Sequence, residues 1–170
     1  LLHRALAQLA ELSQDPLRKA RLWTELATDC AASEDPETLE HAAALLHRAS
    51  ELPQGRWRAY VELERFAERT GRAQDLVASL EGRAALAEKF AGGGEFEGGS
   101  GVYAVTRLRG RDEAATTAAD LYARAARARL GALGDAEGAL ATMDRALALR
   151  PDDSRFRMHA MHLADQAGES

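Results

Sequence analysis

Asparagine does not occur in this chain of 170 residues, lysine occurs only at Lys19 and Lys89, and cysteine only at Cys30. Aromatic side chains make up 5% of it, and β-branched residues are scarce. Strands favour β-branched and aromatic residues, so the composition argues against an all-β sandwich or barrel. A lone cysteine excludes an internal disulfide framework and fits a reducing compartment, so the expected setting is cytoplasmic. No apolar run approaches the ~20 residues that a membrane-spanning helix needs, and the start lacks the pattern of a secretory signal. What is abundant is alanine, about a fifth of the chain. It is a strong helix former with almost no side-chain entropy to lose. Hydrophobic residues make up 46%, charged residues 29%, and the net charge is −5. That length suits one compact domain or a short array of small units. The first residue is Leu1 rather than methionine, from which we expect a piece of a longer polypeptide.

Internal repetition is visible at two scales. Leu1-Leu2-His3-Arg4-Ala5 recurs unchanged as Leu45-Leu46-His47-Arg48-Ala49. Turn signals recur at Glu34-Asp35-Pro36, Gly71-Arg72-Ala73, Gly134-Asp135-Ala136 and Gly168-Glu169, each after an amphipathic stretch. Gly134 to Gly168 is 34 residues, Glu34 to Gly71 is 37, and Gly71 to Gly134 is 63, which is 34 plus 29. Leu39, Ala42, Ala43, Leu46 and Ala49 are spaced three and four apart and so form one helical face. Asp15-Pro16 and Asp35-Pro36 place a capping carboxylate before a proline in the first turn. Small alanines at fixed offsets let two helices approach closely, and a bulky residue between them fills the remaining groove. These signals predict helices over about 1–12, 16–33, 36–51, 56–70, 73–90, 112–132, 135–149 and 153–167.

The block from Leu133-Gly134-Asp135 to Arg150-Pro151-Asp152 resembles the tetratricopeptide repeat family, a helix–turn–helix unit of 34 residues. Its Gly-Asp turn, small Ala139, bulky Met143, small Ala146 and closing Pro151 carry the resemblance. Ala42, Leu46 and Ala49 hold corresponding positions after Glu34, displaced by three residues, with Pro53 one place early. After Gly71 the corresponding residues are Leu76, Leu80 and Arg83, a departure from the pattern. Ahead of the turns, Trp23 with Leu26 and Tyr60 with Leu63 match the large and apolar residues the family prefers, and Ala123 with Ala126 match weakly. The resemblance implies an all-α fold, a right-handed superhelix (α-solenoid) of antiparallel helix–turn–helix repeats with a Gly-rich insertion. Its divisions are a half-repeat at 1–12, repeats at about 16–53, 56–90 and 112–151, a half-repeat at 153–170, and an insertion at about 91–111. Solenoid ends need polar caps. Leu2, Leu6 and Leu9 at one end, and Phe156, Met161 and Leu163 at the other, are expected to lie uncovered, so further repeats or another domain of the parent chain are expected beyond both ends.

The insertion begins Ala91-Gly92-Gly93-Gly94 and runs through Val102-Tyr103-Ala104-Val105 to Arg111. Its composition favours a flexible Gly-rich excursion, with a short hairpin using 102–108 as one strand as the alternative. It lacks the G-x-x-x-x-G-K-[ST] of a phosphate-cradling loop. Lengthening a connection tenfold costs only ~2 kcal/mol of closure entropy, which a stack of repeats tolerates.

Candidate chemistry is sparse. His159, His162 and Asp165 are three apart on one predicted helix and can share a face toward a metal, but they lack a companion cluster, and a solvated helix face is the better reading. Cys30 reads as a small buried residue. No nucleophile has a general base and an orienting partner nearby, so an enzyme is not expected, and no cofactor is implied. Arginine placement says more: there are 20, and in tetratricopeptide arrays the first helix of each pair lines a concave groove. The resemblance puts Arg21, Arg58, Arg65, Arg69, Arg124 and Arg155 on or near that face. A basic groove on an acidic chain suits a protein or peptide partner with acidic character. The competing reading is that these arginines pair with acids on neighbouring helices and cover apolar surface with their stems. The related groove that clamps carboxylate tails of chaperones uses asparagines, which are absent here. Residues 107–129 carry six arginines against Asp112, Glu113 and Asp120, but net acidity and few aromatics disfavour nucleic acid. The implied role is a protein-interaction scaffold, and the alternative is a structural or regulatory spacer within a larger protein.

Overall fold

The computed structural model describes residues 2–95 and 110–168. They hold eight α-helices and, among the described residues, no strand. They divide into two compact units, residues 2–70 and residues 71–95 with 110–168. The boundary falls at Gly71, between the two helices assigned to the repeat at 56–90.

The first unit contains α1 (Leu2–Leu12), α2 (Pro16–Cys30), α3 (Pro36–Glu51) and α4 (Arg56–Thr70). Two starts follow the Asp-Pro signal. The Asp15 carboxylate accepts from the Leu17 amide at 3.0 Å, and Asp35 accepts from the Thr38 amide at 2.9 Å and from the Thr38 hydroxyl. These bonds satisfy amides that the helix cannot pair internally, while the proline sits where no amide is needed. Consecutive helices pack together, and α2 also touches α4. Trp23, Leu26, Leu46, Leu63 and Phe66 fill the core among Ala20, Ala27, Ala42 and Ala49. Gly55 sits so close to α2 that a Cβ there would lie 2.2 Å from that of Ala20, so only glycine allows this approach.

The second unit contains α5 (Ala73–Ala91), α6 (Arg111–Ala128), α7 (Ala136–Leu149) and α8 (Ser154–Gly168). α6 packs against α5 and α7 and also touches α8. Such a central helix must be thin on more than one side, and six of its eight buried residues are alanines: Ala114, Ala118, Ala119, Ala123, Ala125 and Ala126. Its end widens into a π-turn over Arg129–Leu133. Gly134 then turns the chain with φ +66°, a conformation that costs any residue with a Cβ. The Gly134 and Asp135 amides donate back to the Leu130 and Arg129 carbonyls at 3.1 and 3.0 Å, closing the helix end.

The helices follow the sequence-based boundaries closely, with two differences. α2 stops at Cys30 rather than near residue 33, because the Ala32 and Ser33 amides bond three residues back and tighten the turn. The stretch expected as helix to 132 ends in the π-turn. Ala139, Met143 and Ala146 are buried, as are Ala42, Leu46 and Ala49. Trp23, Leu26 and Leu63 are buried and Tyr60 partly so. After Gly71, Leu80 is buried, whereas Leu76 and Arg83 are half-buried and Ala84 and Ala87 supply the small buried positions.

One expectation is corrected at the chain ends. Phe156 and Leu163 are buried, not uncovered, because α8 lays that face on the unit holding α6 and α7. Met161 is exposed, Leu9 is about half exposed, and Leu6 is partly buried against the core. The side chain of Leu2 lies outside the described residues, as do residues 96–109 of the insertion, including the alternative strand at 102–108.

Candidate functional site

The arginines singled out in the sequence fall into two groups. Arg21 on α2 and Arg58, Arg65 and Arg69 on α4 belong to the first unit, while Arg124 on α6 and Arg155 on α8 belong to the second. Arg65 and Arg69 stand 7 and 11 residues from Arg58 on α4, and so the three share one exposed stripe, turned away from buried Leu63. Arg21 donates to Glu25 at 2.8 Å, and Arg65 to Glu62 at 3.0 Å. Arg69 reaches across to the Ala31 carbonyl at the end of α2, where a cation favours the negative end of the helix. Arg155 grips Asp153 through Nε and Nη2 at 3.1 and 2.7 Å. Those hydrogen bonds hold the half-buried Asp153 carboxyl down to about 2. Arg124 is half-buried.

Two further cations secure the first unit from outside. Arg48 and Lys19 lie over the Trp23 ring, 4.2 and 5.2 Å from its centre. Both also meet Glu11 of α1, Arg48 at 2.9 Å and Lys19 at 4.0 Å. The ring's negative face attracts the cations, and their stems cover apolar surface.

The second unit holds polar ties that the sequence reading missed. Glu81 of α5 accepts from Arg129 through both oxygens, at 2.7 and 3.0 Å, and Thr142 of α7 donates to it at 3.1 Å. Arg129 also donates to Asp135 at 2.6 Å, while Asp135 accepts from the Gly138 amide at 2.9 Å and so caps α7. The Gly138 bond, then Arg129, lowers the Asp135 carboxyl below its ordinary range. Seven residues on, Glu88 accepts from the buried Tyr122 hydroxyl and from Arg145, each at 2.6 Å, with the Arg145 guanidinium stacked 4.2 Å above the Tyr122 ring. Burial first, and the Glu88 carboxylate second, push the Tyr122 hydroxyl far above its ordinary value. Their only sequence signal is the spacing of Glu81 and Glu88, which puts both on one face of α5. Nothing local names partners 34 to 61 residues away.

A cleft of about 430 Å³ opens in the first unit, lined by Ala7, Leu26 and Cys30 together with His3, His41, Asp35, Glu37 and Thr38. Asp35 is engaged as the cap of α3, and its hydrogen bonds from Thr38 lower its carboxyl. Cys30 is buried; burial, and then Asp29, raise its thiol, which keeps it in the unreactive protonated form. His159 is half-buried, whereas His162 and Asp165 are exposed. Among the described residues no group of three or more His, Cys, Asp or Glu is placed to hold a metal ion. No helix among them is long and apolar enough to cross a membrane. Compared with known proteins, the chain matches no family model, no curated protein and no solved structure.

Proposed function

We propose that this chain is a segment of a right-handed superhelix of tetratricopeptide-like helical hairpins whose work is to hold a segment of a partner protein. The observation that carries the reading is a pattern repeated in both units. The small–bulky–small set Ala42, Leu46, Ala49 is buried in the first, and Ala139, Met143, Ala146 in the second. A shared offset of buried small residues is what repeated close helix packing requires. In such an array the first helix of each hairpin faces the partner, which makes α2, α4, α6 and α8 the recognition helices. The exposed stripe of Arg58, Arg65 and Arg69 then favours an acidic extended or helical segment. A chain of net charge −5 gains selectivity from such a local basic stripe, since like-charged surfaces elsewhere repel the same partner.

A second reading, a spacer that binds nothing, is favoured by Arg21, Arg65 and Arg155 each being met by a neighbouring acid. One titration separates the two. Labelled acidic and basic peptides of equal length are added to the chain and to an Arg58→Glu/Arg65→Glu variant, with helicity checked by circular dichroism. The scaffold reading expects preference for the acidic peptides and a loss of about tenfold or more, ~1.4 kcal/mol, in the variant. Absence of binding to every peptide favours the spacer.

A further inference from the structure

The chain has three methionines, and their environments differ sharply. Met143 is 1% exposed, while Met158 and Met161 of α8 are 57% and 68% exposed. The large apolar residues of α8 are already satisfied, since Phe156 and Leu163 are buried. Those two are seven apart and share one side of the helix, whereas Met158 lies two residues from Phe156 and falls on the other side. The exposed methionines therefore do not extend the packing face. On the exposed side Met158 is neighboured by Met161 at i+3 and by the exposed His162 at i+4, each pair about 5–6 Å apart at Cβ, with Met161 and His162 flanking it on either hand. The adjacent cations are drawn elsewhere, Arg155 to Asp153 and Arg157 to the Asp152 carbonyl.

Two thioethers and one imidazole around Met158 form a soft donor set, with the exposed Asp165 carboxylate at i+4 from Met161 beside it. Thioethers are poor ligands for hard or borderline dications and good ones for Cu(I). Methionine has three rotatable bonds, so both sulfurs can swing to one point above the turn without moving the backbone. From this arrangement we propose that the exposed face of α8 is a binding site for a soft monovalent cation, Cu(I), held by the Met158 and Met161 sulfurs and the His162 imidazole. The proposal is independent of the scaffold reading.

Ag(I), which shares the softness of Cu(I) and does not change oxidation state, is the probe. It is titrated into the full chain labelled at the methionine methyl groups. The expected result is one Ag(I) per chain, with the Met158 and Met161 methyl resonances shifting and that of buried Met143 staying in place. Met158→Leu/Met161→Leu keeps the helix and weakens uptake about tenfold or more, His162→Gln also weakens it, and Cys30→Ser leaves it unchanged. Uptake that persists undiminished in the double variant, uptake abolished by Cys30→Ser alone, or no uptake by the wild-type chain overturns the proposal.

Discussion

The two units use the same small side chains and finish their interiors differently. In the first, alanines bring helices together and the space between is filled by large apolar groups, Trp23, Leu26, Leu46, Leu63 and Phe66, with ion pairs left at the periphery. In the second, α6 is lined by alanine on more than one face, and the ties across it are polar: Glu81 to Arg129 and Thr142, and Glu88 to Tyr122 and Arg145. A buried methyl contributes only about 0.8 kcal/mol. A helix that is thin on several sides gains proximity and forfeits area, so directional bonds must fix which way its neighbours face. Hydrogen bonds to charged groups also cost more to break one-sidedly than to lack altogether, which makes these partly exposed ties specific and costly to cut.

The largest effects come from burial in each unit. Tyr122→Ala should cost about 3–5 kcal/mol and Leu63→Ala about 2–5 kcal/mol in denaturant unfolding, from lost burial and the cavity left behind. Tyr122→Phe distinguishes ring from hydroxyl: it keeps the ring under Arg145 and should cost about 0.5–1.5 kcal/mol for the lost bond to Glu88. A phenylalanine variant as unstable as the alanine one would mean that the hydroxyl bond, and not packing, holds α5 to α6.

A smaller effect compares ties of the two units directly. Glu81→Gln removes a charged acceptor of three hydrogen bonds that is about a quarter exposed, and should cost about 1–3 kcal/mol. Arg48→Ala in the first unit loses a half-exposed ion pair and a cation–ring contact, worth about 0.5–1 kcal/mol. Equal or inverted costs, measured in the same unfolding series, would erase the distinction between the polar ties of the second unit and the peripheral ones of the first.

Acid gives the mildest test. Asp35, Asp135 and Asp153 all titrate lower in the folded chain than their ordinary value, Asp153 near about 2. A carboxyl whose folded value lies below its unfolded value stabilises the fold above about pH 4, and that contribution fades as pH falls toward 2. Unfolding midpoints should therefore drop over that window. Asp135→Asn should flatten the drop, and an unchanged slope would show that the Gly138 cap and Arg129 do not favour the charged form.

Helix positions were readable from the chain because their causes are local. Asp15-Pro16 and Asp35-Pro36 start helices through bonds spanning two or three residues, and Gly134 ends one through its own backbone freedom. Small–bulky–small spacing at Ala42, Leu46 and Ala49 and at Ala139, Met143 and Ala146 foretold that these residues are buried, since a helix repeats on a fixed period. The candidate site was readable only in part. The α4 stripe follows from spacing, but the acids that meet Arg21, Arg65 and Arg155 depend on which rotamers the surroundings permit. Burial of Phe156 and Leu163 was missed because the capacity of one helix to cover another depends on their docking, which no local pattern records.

Composition and periodicity were enough to specify helices throughout the described residues and many of the residues that face inward, because both follow from backbone geometry and the transfer of methyl groups from water. The division at Gly71, the pairing of Glu81 with Arg129, and the seat of Tyr122 between Glu88 and Arg145 came from packing alone. A charge far away in the chain becomes a partner only when the folded backbone brings it within about 3 Å, and a window of a few residues holds no record of that distance.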